Sequence, residues 1–371
     1  MRANPIGLYL HLPFCVKKCN YCDFCSFANL SPAVREEYID ALVREIRSYK
    51  LGERIPVDTV FFGGGTPSLL LTGELLKIFG AIEETFDISK TAEITLESNP
   101  KTFDEQRIRE YVAAGVNRIS IGLQSIHENE LKILGRIHNF DDFKWAYDMA
   151  LRAGIANINV DLMYGIPEQT CESFAITLDS VISLAPTHLS AYSLILEEGT
   201  PLFDSRKSLL LPTDDEEYAM YLSVCEKLAA AGYGHYEISN YAKAGYESRH
   251  NLKYWRNQEY IGVGVSAYSY YGARRFGNTH VISEYTSSDY QKHREVENID
   301  PETNAFEYAM LGLRLSDGIS LSEYKRLSGR ELSRDKIHSY ARSGYMKISE
   351  DRVSLTEKGF YVSNSILAEL L

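Results

Sequence analysis

The sequence has no apolar run approaching the ~18 residues that a membrane span needs. It also has no excess of positive charge: 39 Lys and Arg stand against 51 Asp and Glu, a formal net charge of −12. The first lack argues against a membrane-spanning chain. The second argues against general nucleic-acid binding, which works by neutralising phosphates. No low-complexity segment breaks the 371 residues. The start, Met1-Arg2-Ala3-Asn4-Pro5, runs into a strand-like segment without a signal peptide, so a cytoplasmic location is expected. Six cysteines in a chain of this length are not the framework of a small secreted disulfide scaffold. With 44% hydrophobic residues the chain can bury a core, and its length fits two or three domains. Tyrosine is over-used, at 26 residues, which fits a wide, semi-polar cavity or surface packing.

Four of the cysteines crowd into one segment: Cys15, Cys19, Cys22 and Cys25. Cys171 and Cys225 stand alone and read as small buried hydrophobes. The spacing C-x3-C-x2-C puts three thiolates on one short loop. Such a loop can hold three irons of a [4Fe–4S] cluster and leave the fourth iron open to a ligand. Zinc is the competing occupant, with Cys25 as a fourth ligand. Zinc knuckles, however, usually come as two separated C-x2-C elements.

Strand-like segments recur along the first half: Gly7–Leu12, Val57–Gly63, Ala92–Ser98, Arg118–Gln124, Asn157–Met163 and His188–Ile195. Helical stretches separate them. Ser31-Pro32 opens one, and Thr102-Phe103-Asp104-Glu105 reads as a capping box for another. Ala113-Ala114-Gly115 and Arg152-Ala153-Gly154 close two more. Strand–helix alternation predicts an α/β fold with a parallel sheet. The six units predict a partial, open (β/α)6 barrel. Residues 1–231 form that barrel with a flanking helix, 232–300 a Tyr- and Gly-rich connecting segment, and 301–371 a separate α+β domain. That last stretch reads as three helices and two short strands, the layout of a winged helix. Its ten Lys/Arg are matched by ten Asp/Glu, so DNA binding is not expected of it.

The carboxyl ends of the strands carry the chemistry. Gly63-Gly64-Gly65-Thr66-Pro67 follows the second strand, where glycines let backbone approach a ligand. Glu97 ends the third strand, Gln124 the fourth, and Asp161 lies in the fifth, with Arg136 in a following loop. In parallel βα folds such positions converge on one site. The set suits a polar ligand with amino, carboxylate and ribose groups.

At this point the sequence resembles the radical S-adenosylmethionine (SAM) enzymes over about its first 200 residues. Within them it is similar to the oxygen-independent coproporphyrinogen III oxidase family, through Tyr9-Leu10-His11-Leu12-Pro13-Phe14-Cys15 and the tail domain. The resemblance implies a TIM-like radical SAM barrel. It makes Cys15, Cys19 and Cys22 the cluster ligands. It places SAM among Tyr9, Tyr21, Gly64, Gly65, Thr66, Glu97, Gln124, Arg136 and Asp161. The true oxidases carry a further Cys two residues after the third; here that residue is Phe24, with Cys25 out of register. Phe24 and His250-Asn251-Leu252-Lys253-Tyr254-Trp255 are instead similar to the heme-chaperone branch. Relatives often have His where this chain has Tyr268.

That branch implies a protein that binds heme, with His250 as iron ligand, and delivers it to heme-requiring recipient proteins, those at the membrane included. It leaves a homodimer open. Imidazole suits heme iron, and Tyr254 and Trp255 can pack on a porphyrin face. The same residues can equally brace a loop and fill a core. Two other readings stand beside the chaperone: an oxidase that decarboxylates coproporphyrinogen III, and a zinc-stabilised binding protein.

Overall fold

The computed structural model describes residues 4–50 and 52–371, so Met1, Arg2 and Ala3 of the expected unsignalled start lie outside the described residues. The expected strands form: β1 (Ile6–Leu12), β2 (Ile55–Gly64), β3 (Phe86–Ser98), β4 (Arg118–Gln124), β5 (Asn157–Tyr164) and β6 (His188–Ser193). They pair side by side in chain order, every pair parallel. β1 and β4 are buried along nearly their whole length, as strands covered on both faces should be.

Helices return the chain between strands. Ser31 caps the helix Pro32–Ser48, accepting from Val34 N. Asp104 caps the helix Glu105–Ala113, accepting from Arg107 N at 2.8 Å. The capping box expected from Thr102 does not form, because the Thr102 hydroxyl donates to Asn99 O at 2.6 Å. Gly115 and Gly154 turn the chain after their helices at φ 107° and 95°. Cys225 is buried, as expected. Cys171 is exposed instead, because it opens the helix Cys171–Ser183 on its outer face.

The sheet is wider than six strands. Residues 232–300 are not a mere connector: they extend both edges. β7 (Gly234–Glu237) and β8 (Asn240–Ala242) join antiparallel to β6. β9 (Tyr260–Val263) joins β1 in parallel, followed by antiparallel β10 (Tyr268–Tyr271), β11 (Arg274–Gly277) and β12 (Glu295–Asn298). The result is one twelve-stranded sheet, ordered β12-β11-β10-β9-β1-β2-β3-β4-β5-β6-β8-β7. Between β8 and β9 a short helix, Arg249–Trp255, crosses from one edge to the other. It passes under the amino ends of the barrel strands, where Lys253 Nζ donates to Pro5 O at 2.9 Å.

The tail folds as a winged-helix-like domain with its own core, built on Leu313, Ile319, Ile337, Val353, Phe360 and Leu367. Its helices are the expected three, Pro301–Gly312, Leu321–Ser328 and Arg334–Arg342, and two more at the end of the chain, Glu357–Tyr361 and Ser363–Leu370. Its sheet adds β13 (Ile319–Ser320) to the expected pair β14 (Met346–Ser349) and β15 (Arg352–Leu355). Arg275 pairs with Glu307, and Ile238 N donates to Arg314 O at 3.0 Å, seating the domain on the sheet. No helix among the described residues is long and apolar enough to cross a membrane.

Candidate functional site

The cysteine loop leaves β1 at Leu12 and is clipped at its base. Phe14–Cys15 pairs with Phe27–Ala28 as two-residue strands, and Phe27 N donates to Pro13 O at 2.7 Å. The glycine turn after β2 locks against it: Gly65 N donates to Leu12 O at 2.8 Å and Thr66 N to Phe14 O at 2.7 Å. This approach requires glycine. A Cβ on Gly65 would stand 2.7 Å from Phe14 O, and one on Gly64, at φ 109°, would stand 2.7 Å from the His11 ring. The glycines thus hold the loop itself as well as leaving room for a ligand. The far side of the loop docks through Asn20, whose amide N–H donates to Leu134 O at 2.9 Å.

Cys15, Cys19, Cys22, Tyr21, Gly64, Gly65, Thr66, Glu97, Gln124, Arg136 and Asp161 line one pocket of about 350 Å³ at the carboxyl ends of the strands. The pocket therefore gathers the expected cluster and SAM residues with one exception. Tyr9 is not part of its lining. Its ring lies lower in the barrel, near Phe61 and His250, and its hydroxyl is 3.0 Å from His11 Nδ1. His11 Nε2 in turn donates to Cys25 O at 2.7 Å, so His11 braces the loop from below.

Arg136 is central to the pocket. It donates to Asn99 Oδ1 at 2.5 Å, to Gly122 O, and to Cys19 Sγ at 3.5 Å. Asn99 passes the contact on, donating to Thr66 Oγ1 at 3.0 Å, and Thr66 donates to Cys15 Sγ at 3.7 Å. A guanidinium and a hydroxyl thus face the sulfurs of Cys19 and Cys15. Gly122 is the only residue type that fits beneath Arg136, since a Cβ there would be 2.8 Å from its guanidinium. Gln124 holds φ 69° beside a register shift in β4, a strained conformation at the pocket wall. Desolvation, reinforced by Asp161, pushes the Glu97 carboxyl up to about 8, despite the donor Gly64 N. Desolvation raises Asp161 as well, opposed by hydroxyl and amide donors that include Ser120 at 3.0 Å and Asn159 at 2.8 Å. Burial thus raises both carboxyls, and each attracts a cationic ligand only once it has lost its proton.

Among the described residues, no three of the loop sulfurs lie within 4.8 Å of one another; the group that does is Cys225, His235 and Glu357, elsewhere. A single tetrahedral zinc with bonds of about 2.3 Å needs its sulfurs roughly 4 Å apart. A cubane places each thiolate on a different iron and spreads them. Cys25 faces away from the pocket, its Sγ 3.6 Å from His280 O. Three cysteines lining one pocket, with Cys25 turned away, fit a three-cysteine cluster.

His250 is not in this pocket. It lies at the opposite end of the barrel, 1% exposed, with Nδ1 2.8 Å from Thr59 Oγ1 and Nε2 2.8 Å from Tyr254 Oη. Desolvation holds the ring neutral, at about 3. Glu93 receives the amides of Arg249 and His250 at 3.1 Å, and Trp255 lies beneath Arg314 of the tail domain. Both His250 nitrogens are thus engaged inside the core in this conformation, with Thr59 and Tyr254.

Sequence reasoning missed Asn99, Met163 and Tyr192 in the pocket wall. Tyr192 lies one residue before the end of β6, so the rule applied to the other strands would have found it. Asn99 lay beside Glu97 in the same strand-end run. Met163 carries no polar signal.

An open parallel barrel with a three-cysteine loop, a glycine turn and strand-end polar residues defines a radical SAM protein. Comparison with known proteins agrees. The radical SAM superfamily matches residues 9–181, and the HemN C-terminal domain matches residues 299–362. The heme chaperone HemW of Escherichia coli K12 is 37% identical, over 99% of this chain and 98% of that protein. HemW of Bacillus subtilis 168 is 34% identical, over 98% of each. The solved coproporphyrinogen III oxidase HemN of Escherichia coli has the same fold, with TM-score 0.84 at 23% identity, covering 99% of this chain and 90% of that one. The chain belongs to the HemW family.

Proposed function

We propose that the protein is a heme chaperone: it binds a [4Fe–4S] cluster, SAM and heme, and delivers heme to recipient hemoproteins in the cytoplasm or at the membrane. The full-length kinship to HemW proteins, named as heme chaperones, carries this reading. Cys15, Cys19 and Cys22 would hold the cluster. Gly64, Gly65, Thr66, Glu97, Gln124 and Asp161 would surround SAM, and Tyr21 would pack beside it. Arg136 would offset thiolate charge at Cys19. When bound, such a cluster can supply an electron to SAM. Phe24 stands where the oxidases carry a further cysteine, and its ring is exposed at the pocket's edge. That substitution favours a carrier over a decarboxylase.

The test is transfer. Heme-loaded, cluster-replete protein is mixed anaerobically with an apo b-type hemoprotein, and holo-acceptor formation is followed by absorbance. Transfer faster than from a free heme pool is expected. A rate no better than free heme would remove the chaperone reading.

A further inference from the structure

We infer that heme docks on the rim of the barrel mouth, with His280 as its iron ligand, Phe24 and Tyr268 against its face and Lys17 and Lys18 at its carboxylates. The inference rests on the heme-binding reading above and deepens it. Its starting point is that His250 is sealed in the core.

The rim offers what that end of the barrel lacks. Phe24, Tyr268 and Val281 are 65%, 50% and 41% exposed, large apolar side chains in one neighbourhood. The loops that carry them are tied together. Cys25 Sγ meets His280 O at 3.6 Å, Ser266 N donates to Thr279 O at 2.8 Å, and Asn278 N donates to Ala267 O at 3.0 Å. The Tyr268 ring lies flat over Gly277, where a Cβ would come within 2.6 Å of it. Adjacent exposed apolar groups on a folded surface mark a docking site. His280, next to Val281 in the chain, is exposed on the same tied loop. Imidazole is the ordinary protein ligand for heme iron.

Charge identifies the occupant. The protein is acidic overall, at −12, yet Lys17 and Lys18 both reach the pocket edge beside Phe24. Lys18 Nζ donates to Phe24 O at 2.9 Å, which fixes one ammonium next to the ring. A flat apolar face, an imidazole and two cations fit an iron tetrapyrrole with two carboxylates. Phe24 also lines the cluster pocket, so heme seated here would lie beside it.

The test titrates heme anaerobically into cluster-replete protein and into His280→Ala, Lys17→Glu/Lys18→Glu and His250→Gln variants. Soret position, affinity and cluster iron are read together. His280→Ala should shift the Soret band and weaken binding at least about tenfold, some 1.4 kcal/mol, with cluster iron unchanged. The lysine double variant should weaken binding and flatten its salt dependence. His250→Gln should keep the wild-type heme spectrum. Wild-type heme binding with an unaltered His280→Ala complex overturns this placement alone, and a changed spectrum in His250→Gln assigns the ligand to the buried motif instead. Wild-type protein that binds no heme overturns the chaperone reading, and this placement with it.

Discussion

His250 Nδ1 lies 2.8 Å from Thr59 Oγ1, so the histidine of the H-N-x-x-Y-W motif is tied to the amino-terminal half of β2, inside the barrel. The motif acts as a plug. Its helix closes the barrel floor, Glu93 receives its first amides, and the tail domain covers it from outside.

Removing the plug should cost stability. His250→Ala leaves a cavity and strips partners from Thr59 and Tyr254, a loss of about 2–4 kcal/mol. Urea unfolding should show a lower midpoint. A wild-type midpoint would mean that the helix does not brace the barrel.

Acid should act through the same residue. The folded-state value of about 3 lies below the ordinary 6.5, so His250 binds its proton more weakly in the folded chain. Its contribution is fully present above about pH 6.5 and is lost as pH falls toward 3. His138, held at about 3, and His235, at about 4, act in the same sense. Stability should therefore fall between pH 6.5 and 4, less steeply in His250→Gln. Equal slopes would exclude His250 as a contributor.

The cluster assignment separates the cysteines. Cys15→Ala, Cys19→Ala and Cys22→Ala should each lose the oxygen-sensitive brown chromophore, and Cys25→Ala should keep it. Iron and sulfide analysis after anaerobic reconstitution decides. Loss of iron in Cys25→Ala would return it to the ligand set.

Most of this fold could be read in the sequence because six strands with β-branched cores alternate with capped helices. The strands β7 to β12 could not, because each is only three or four residues long and has no alternation to register. The pocket was legible where a polar residue ended an apolar strand, as at Glu97 and Asp161. The burial of His250 was not legible for a related reason. Its motif names residue types suited to heme, but only the crossing helix between β8 and β9 reveals that they face inward.

The Glu97 carboxyl, at about 8, predicts the pH dependence of SAM binding. Below that value the protonated group offers no charge to the cationic ligand. Affinity should rise with pH toward about 8, and Glu97→Gln should bind more weakly with a flatter profile. Calorimetric titration at pH 6.5, 7.5 and 8.5 in both proteins checks this, and parallel profiles would dissociate Glu97 from SAM.

The central claim is that this radical SAM fold carries heme and does not decarboxylate a porphyrinogen. One anaerobic preparation with full cluster, dithionite and SAM decides it, titrated with heme and assayed in parallel for products from coproporphyrinogen III. The account predicts saturable heme binding and no protoporphyrinogen IX. Robust decarboxylation, or no heme binding, would contradict it.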